Sequence, residues 1–236
     1  MNYEEKQRVV NHAMSANYGG GVMNNSTSYC CDLFKRFMVE GNVLELGPAE
    51  GIMTDKLAPY FEDYTVVDGA DFFVQEIKKR HPHVKGYAQL FEDFNPETTF
   101  DNIILGHVLE HVIDPVLILK KCSTWLSKEG RIIVAVPNAN SIHRQMGVEM
   151  GLLTSVYQLN ETDHRNGHRR VYDMVSLEKD FDDAGLKVVK KGGYWLKPLS
   201  NSQIDSSWNA EIINASMVVG EKYPEIAAEI YIVASR

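Results

Sequence analysis

Val43-Leu44-Glu45-Leu46-Gly47-Pro48-Ala49-Glu50-Gly51 decides how this chain is read, together with Val66-Val67-Asp68, where a second apolar run ends in an acid. An apolar run that stops at a turn of small residues and gives way to a helix brings bare backbone close to a ligand. A carboxylate about 20 residues further on can bind a ribose diol. The pattern is that of a nucleoside-cofactor site, and two cofactors compete for it, a dinucleotide and S-adenosylmethionine. The dinucleotide fingerprint requires G-x-G-x-x-G. This turn reads Gly47-x-x-x-Gly51, with an acid at Glu45 and with Pro48 where a further N–H could have met a pyrophosphate. The dinucleotide reading is the weaker one.

Outward from the turn, short apolar runs alternate with helical patterns from about residue 42 to 193, the order of βαβ units around a parallel sheet. Strands are expected at 43–46, 65–67, 84–88, 102–105 and 131–136, the last stopped by Pro137-Asn138. Helices are expected at 54–61, 71–80, 115–126 and 176–184. Asp114 caps a proline at the first helical position of the third, and Gly185 ends the fourth. A sixth strand follows at 187–191, and the alternating run 229–234 is a final strand. Two segments break the rhythm. Asn138 to Tyr172 follows the fifth strand and is dense in polar donors, and Trp195 to Pro224 contains one amphipathic helix over 204–219.

The 236 residues suit one α/β domain, here 1–236, with an N-terminal lid at about 1–40, a cofactor-binding core at about 41–137 and a substrate-side insertion at about 138–172. A formal charge of −8 and the lack of any five-residue basic run argue against nucleic acid as a partner. Cys30, Cys31 and Cys122 show no C-x-x-C spacing and suggest a reducing compartment. With a charged N-terminus and no run of about 18 apolar residues, a soluble, cytoplasmic protein without a membrane partner is expected. Oligomeric state is not legible.

Taken with Gly106-His107-Val108-Leu109-Glu110-His111-Val112 and Val134-Ala135-Val136-Pro137-Asn138, these motifs make the chain resemble class I S-adenosylmethionine-dependent methyltransferases. The resemblance is to the small-molecule branch that includes ubiquinone-biosynthesis O-methyltransferases and sugar N-methyltransferases, and it covers roughly residues 40 to 193. It implies a Rossmann-like fold with a seven-stranded, mostly parallel sheet and an antiparallel final strand. One departure is Ala49, where the family's turn often has a third glycine.

The resemblance also implies roles. Glu45 would hold the turn or water around the amino-acid part of the cofactor, and Gly47 and Gly51 would allow close backbone approach. Asp68, beside Gly69, would accept from both ribose hydroxyls. Gln89 to Glu92 would wrap the adenine, with Phe91 or Leu90 as its apolar wall, and Gly106 and His107 would line the methionine portion. Tyr18 with Gly19-Gly20-Gly21 is a candidate lid over the cofactor, and Tyr18 is also a candidate substrate residue.

Methyl transfer needs an aligned nucleophile and, for a hydroxyl, a proton acceptor. His111 is the candidate base, oriented by Glu110. His107-x-x-Glu110-His111 would also put three ligands on one face of a helix, with His164 or His168 as a fourth, and relatives reading E-x-x-E-H use a divalent ion. Here the first Glu is replaced by His107, and no metal is the favoured reading. His164, His168, Arg169, Arg170 and Tyr172 are candidate substrate residues, the arginines as an anion clamp. Trp195, Lys197 and Asn201 are candidates for the pocket wall. The function expected is methyl transfer to an oxygen, with nitrogen second, of a small anionic metabolite, phosphorylated or sugar-linked. The alternatives are an NAD-dependent oxidoreductase and a non-catalytic cofactor-binding module.

Overall fold

The structure, a computed structural model, describes residues 3–15 and 20–236. In chain order it contains α1 Tyr3–Ser15, α2 Val22–Lys35, β1 Val43–Leu46, α3 Ile52–Leu57, β2 Tyr64–Asp68, α4 Asp71–Arg80, β3 Lys85–Ala88, β4 Phe100–Gly106 and α5 Pro115–Trp125. There follow β5 Leu126–Pro137, α6 Ile142–Glu149, α7 Glu161–Asn166, α8 Met174–Asp183, β6 Lys187–Tyr194, α9 Asn201–Ser207, α10 Ala210–Gly220 and β7 Glu229–Ser235. The seven strands form one sheet in the order β3-β2-β1-β4-β5-β7-β6. Every pairing is parallel except those of β7 with β5 and β6. The order reverses between β1 and β4, the switch point at which doubly wound sheets open a crevice for ligands beyond the carboxyl ends of their strands.

β1 and β2 are buried at every position, as central parallel strands covered on both faces must be. Because side chains alternate, Leu44, Ile103 and Val134 feed one core with α5 and α8, through Ile118, Leu119, Leu177 and Phe181. Val43, Ile104 and Ile133 feed the other with α2, α3 and α10, through Phe34, Leu57 and Met217. Cys30, Cys31 and Cys122 are buried, and none is bonded to another. No helix among the described residues is long and apolar enough to cross a membrane.

Several boundaries move for local reasons. The helix expected at 54–61 starts at Ile52 and gives way at Ala58 to a 3-10 turn, because Pro59 has no N–H to extend the ladder. The third strand is real but runs along the sheet edge with alternate residues exposed, which explains its weak apolar signal. The single helix expected at 204–219 is two helices. Trp208 is extended, and the Asn209 side chain accepts from Ile212 N to cap α10. Asp114 caps α5 as expected, accepting from Leu117 N at 2.9 Å. The stretch expected to be an N-terminal lid divides: Cys30, Cys31, Leu33 and Phe34 of α2 are fully buried, so this helix is part of the core.

Candidate active site

The turn after β1 takes its shape from three residues with positive φ: Gly47 at 67°, Ala49 at 47° and Gly51 at 81°. Gly47 N donates to Val67 O at 2.9 Å, tying the turn to β2. A Cβ on Gly47 would lie 2.9 Å from Val108 Cγ2 and 3.6 Å from Phe91 Cζ, so this position has room for bare backbone only. Ala49 carries its methyl in a left-handed conformation, the strain a third glycine would have avoided.

Asp68 ends β2 with its carboxylate turned back on this backbone. Ala70 N donates to Oδ1 at 2.8 Å and Ala49 N to Oδ2 at 3.3 Å. Each oxygen keeps a second lone pair for a ligand diol. Burial pushes this acid up to about 6. Glu45 is buried beneath the turn, where Thr54 Oγ1 and Tyr64 Oη both donate to its Oε2, at 2.6 and 2.8 Å. Burial raises it to about 7. Asp68→Ala is expected to weaken nucleoside-cofactor affinity by about 1.5–3 kcal/mol, roughly 10- to 100-fold. Calorimetric titration checks this, and unchanged affinity would remove Asp68 from the site.

Glu45, Gly47, Asp68, Gly69, Phe91, Gly106 and His107 all line one cavity of about 1020 Å³, with Leu90 beside Phe91. The same cavity continues to Glu110, His111, His143, His168, Lys197 and Glu229. Gly51 stands behind the turn, a Cβ on it meeting Arg80 and Ile77 instead.

Beyond β4, residues 107–113 form a turn and not a helix, so His107, Glu110 and His111 do not share a helical face. His107 takes φ 59°, with Nδ1 3.7 Å from Glu110 Oε1 and 3.8 Å from Glu229 Oε2. His111 Nε2 lies 3.9 Å from Glu110 Oε1, and the His111 and His168 rings meet edge to face with centroids 4.8 Å apart. Burial keeps His107 and His111 uncharged: it is the first cause lowering His107 to about 4 and His111 well below its ordinary value. Glu110 is 1% exposed and is raised by burial to about 7, and among the described residues nothing hydrogen-bonds to either of its oxygens. Ligand-capable atoms of Glu110, His111 and His168 lie within 4.8 Å of one another.

The arginine cluster has another job than the one expected. Arg170 donates to the carbonyls of Leu109, Val112 and Ile113, at 2.7, 2.6 and 3.0 Å. Arg169 donates to His111 O at 2.9 Å and to Glu5 Oε2 at 2.7 Å. Neither lines the cavity. Both hold the 107–113 turn in place, so the expected anion clamp is corrected: a turn with no ladder of its own needs donors for its carbonyls, and these guanidinium groups supply them. His164 is exposed on α7 and outside the lining. Tyr172 is also corrected, being buried in the core with its hydroxyl donating to Asp180 Oδ2 at 2.8 Å. Tyr18 lies outside the described residues. Among the described residues expected to meet the substrate, only His168 lines the cavity.

Trp195 is fully buried core, while Lys197 and Asn201 reach the lining. Glu229, Asp163 and Arg144 were missed. Glu229 opens β7, and because β7 runs antiparallel its first residue stands at the carboxyl edge of the parallel strands; topology alone could have placed it there. Burial raises Glu229 and lowers Lys197, each toward its neutral form. Asp163 and Arg144 come from the insertion after β5, where nothing in the sequence marks their pairing at 3.2 Å.

A family profile described as a methyltransferase domain matches residues 24–191. The chain belongs to the class I S-adenosylmethionine-dependent methyltransferases. The dinucleotide alternative falls with that match. This methyltransferase is 26% identical over 194 residues to a probable S-adenosylmethionine-dependent methyltransferase of Mycobacterium tuberculosis, with 80% of the chain and 65% of that protein covered. It is 29% identical over 128 residues to nodulation protein S of Sinorhizobium fredii, covering 51% of the chain and 58% of that protein. The chain thus spans less than two thirds of the length of these curated relatives.

Among solved structures, the N-methyltransferase NodS of Bradyrhizobium japonicum, in complex with S-adenosylhomocysteine, superposes with a TM-score of 0.59 at 15% identity, covering 98% of this chain and 96% of that one. A possible histamine N-methyltransferase of Thermotoga maritima gives 0.63 at 15% identity, covering 99% and 95%. Both likenesses are of fold.

Proposed function

We propose that this methyltransferase transfers the methyl group of S-adenosylmethionine to a hydroxyl oxygen of a small polar molecule. One observation carries the reading: a single cavity joins Asp68 and the bare turn at Gly47 to the buried carboxyl groups of Glu110 and Glu229 and to the half-buried imidazoles of His107, His111 and His168, the first two of which are held uncharged by burial. Its volume of about 1020 Å³ stands at the upper end of the ligand-pocket range of about 300–1,000 Å³, enough for cofactor and acceptor together.

In the step itself, the acceptor oxygen forms a bond to the methyl carbon as the carbon–sulfur bond breaks, and the sulfonium leaves as a neutral thioether. The hydroxyl proton would pass to an uncharged group beside it, for which His111 and His107, held neutral by burial, are the candidates. An amine acceptor is the second reading, supported by the same acid-rich floor. An anionic group on the acceptor would meet Arg165 and Lys197, cations of the lining, in place of Arg169 and Arg170.

The test has two arms. Calorimetric titration is expected to give binding of S-adenosylmethionine and S-adenosylhomocysteine and none of NAD. Label from methyl-tritiated S-adenosylmethionine is then expected in a small-molecule product when a fractionated metabolite pool is supplied, and the product bond identifies the acceptor atom. Binding of NAD alone would overturn the reading, and so would cofactor binding with no transfer to any fraction.

A further inference from the structure

We propose that Glu110 and Glu229 form an ammonium-binding site at the acceptor end of the cavity, so that the molecule methylated is a small amine whose hydroxyl takes the methyl group. The proposal deepens the methyl-transfer reading and rests on it for the transfer step. Binding of the ammonium group can be measured without turnover.

Three oxygens carry the argument. Glu110 is 1% exposed and Glu229 5%. Both line the cavity, and Glu110 Oε1, Glu110 Oε2 and Glu229 Oε2 accept no hydrogen bond from any described residue. Buried carboxyl oxygens without donors are costly, so a ligand of this cavity is the group that satisfies them. Two of the three border one point: His107 Nδ1 stands 3.7 Å from Glu110 Oε1 and 3.8 Å from Glu229 Oε2, outside hydrogen-bond distance of both. An ammonium group carries its N–H donors on a single atom, which suits oxygens that converge from two sides.

Charge separates an ammonium from a hydroxyl. Among the described residues no lysine or arginine forms an ion pair with either acid. The neighbouring cations are engaged elsewhere. Lys197 Nζ donates to Asn201 Oδ1 and lies 4.2 Å from the centroid of the Trp195 ring. Arg144 donates to the carbonyls of Val156 and Gln158 and to Asp163 Oδ2, and Arg170 to the carbonyls of Leu109, Val112 and Ile113. His107 is held uncharged by burial. Burial also raises both carboxyl groups, and the charge of Glu110 adds to the rise in Glu229. A hydroxyl would fill the lone pairs and leave two buried acids uncompensated, whereas a cation between them offsets both.

Neither acid can withdraw. Glu229 opens β7 between Pro137 of β5 and Tyr194 of β6, in register with both. Glu110 O accepts from Arg169 N at 2.8 Å, and the nearby carbonyls of Leu109 and Val112 are held by Arg170. With both backbones pinned, the space between the two carboxyl groups is a fixed feature of the cavity. His111 Nε2 stands beside it, 3.9 Å from Glu110 Oε1. An amine anchored there would bring a hydroxyl of the same molecule within reach of that imidazole.

The experiment titrates the purified protein by calorimetry, with and without S-adenosylhomocysteine, using three phenols of similar shape. Tyramine ends in an ammonium group, 4-ethylphenol is neutral, and 4-hydroxyphenylacetate ends in a carboxylate. Tyramine is expected to bind at least about 30-fold more tightly than either of the others. Glu110→Gln and Glu229→Gln keep the shape and remove the charge, and each should cut that preference to about threefold or less. Circular dichroism and S-adenosylhomocysteine titration establish that each variant is folded. Equal binding of the three phenols, binding of none, or a preference that survives in both folded variants would overturn the proposal. So would a loss of S-adenosylmethionine affinity with S-adenosylhomocysteine affinity kept, because the acids would then serve the cofactor's sulfonium. Tyramine bound by a protein that does not bind S-adenosylmethionine would sink the methyl-transfer reading and leave the ammonium site standing. Label transferred only to molecules without an amine would do the reverse.

Discussion

His111→Ala is expected to lower turnover by about 100-fold or more while S-adenosylmethionine affinity stays within about twofold of the wild type. The ring lies on the acceptor side of the cavity, 3.9 Å from Glu110 and in edge contact with His168, and the turn around Gly47 that would hold the cofactor is a separate element. Steady-state kinetics with the acceptor found by labelling, alongside cofactor titration, check the split. Equal losses in both would make His111 a structural residue. The pH profile has a sign as well. Burial lowers the His111 pKa, so the uncharged ring is already the dominant form at neutral pH. Activity should therefore be flat through neutrality and fall only on the acid side as the ring takes up a proton, in contrast to an unperturbed imidazole, whose profile would still be rising at about pH 6.5.

Gly220→Ala is expected to be the most damaging single methyl in the core. A Cβ there would stand 2.2 Å from Trp195 N, 2.6 Å from Tyr194 C and 2.7 Å from Leu196 N, all backbone atoms without a rotamer to change. The same contact is stitched by Trp195 N donating to Met217 O at 3.2 Å and Leu196 N to Ser216 O at 2.8 Å, so moving α10 away from the end of β6 breaks hydrogen bonds as well. A loss of about 3 kcal/mol is expected, near the upper end for overpacking. Urea unfolding read as a change in midpoint at constant slope measures it. A shift worth less than about 1 kcal/mol would mean that α10 slides freely over β6.

Much of the candidate cofactor half of the site was legible as a grouping from the chain alone because its signals are local. Glu45, the turn from Gly47 to Gly51 and Asp68 belong to one β-turn-α-β unit, and their coming together follows from spacing along a strand and from backbone that cannot carry side chains. The sheet was legible for the same reason: buried parallel strands must be runs such as Val43–Leu46 and Ile132–Val136. Where local signals were misread, a single residue was responsible, as with Pro59 at the end of α3 and Asn209 between α9 and α10.

The acceptor half was decided only by the tertiary structure. Arg169 and Arg170 read as an anion clamp because charge and spacing are all a sequence displays, and an arginine that caps carbonyls looks the same as one that binds phosphate. What separates them is the position of the 107–113 turn, some 60 residues away in sequence, whose unladdered carbonyls needed donors. Glu229 joined the site because an antiparallel last strand puts its first residue at the edge where the parallel strands end. His168 came to Glu110 and His111 through the Asp163–Arg144 pair inside the insertion. By itself the sequence determined the fold and the grouping of Glu45, Gly47 and Asp68 around one turn, since periodicity and turn chemistry act between neighbours. The grouping of Glu110, His111, His168 and Glu229 required the folded chain, because it depends on contacts between distant segments that no local pattern encodes.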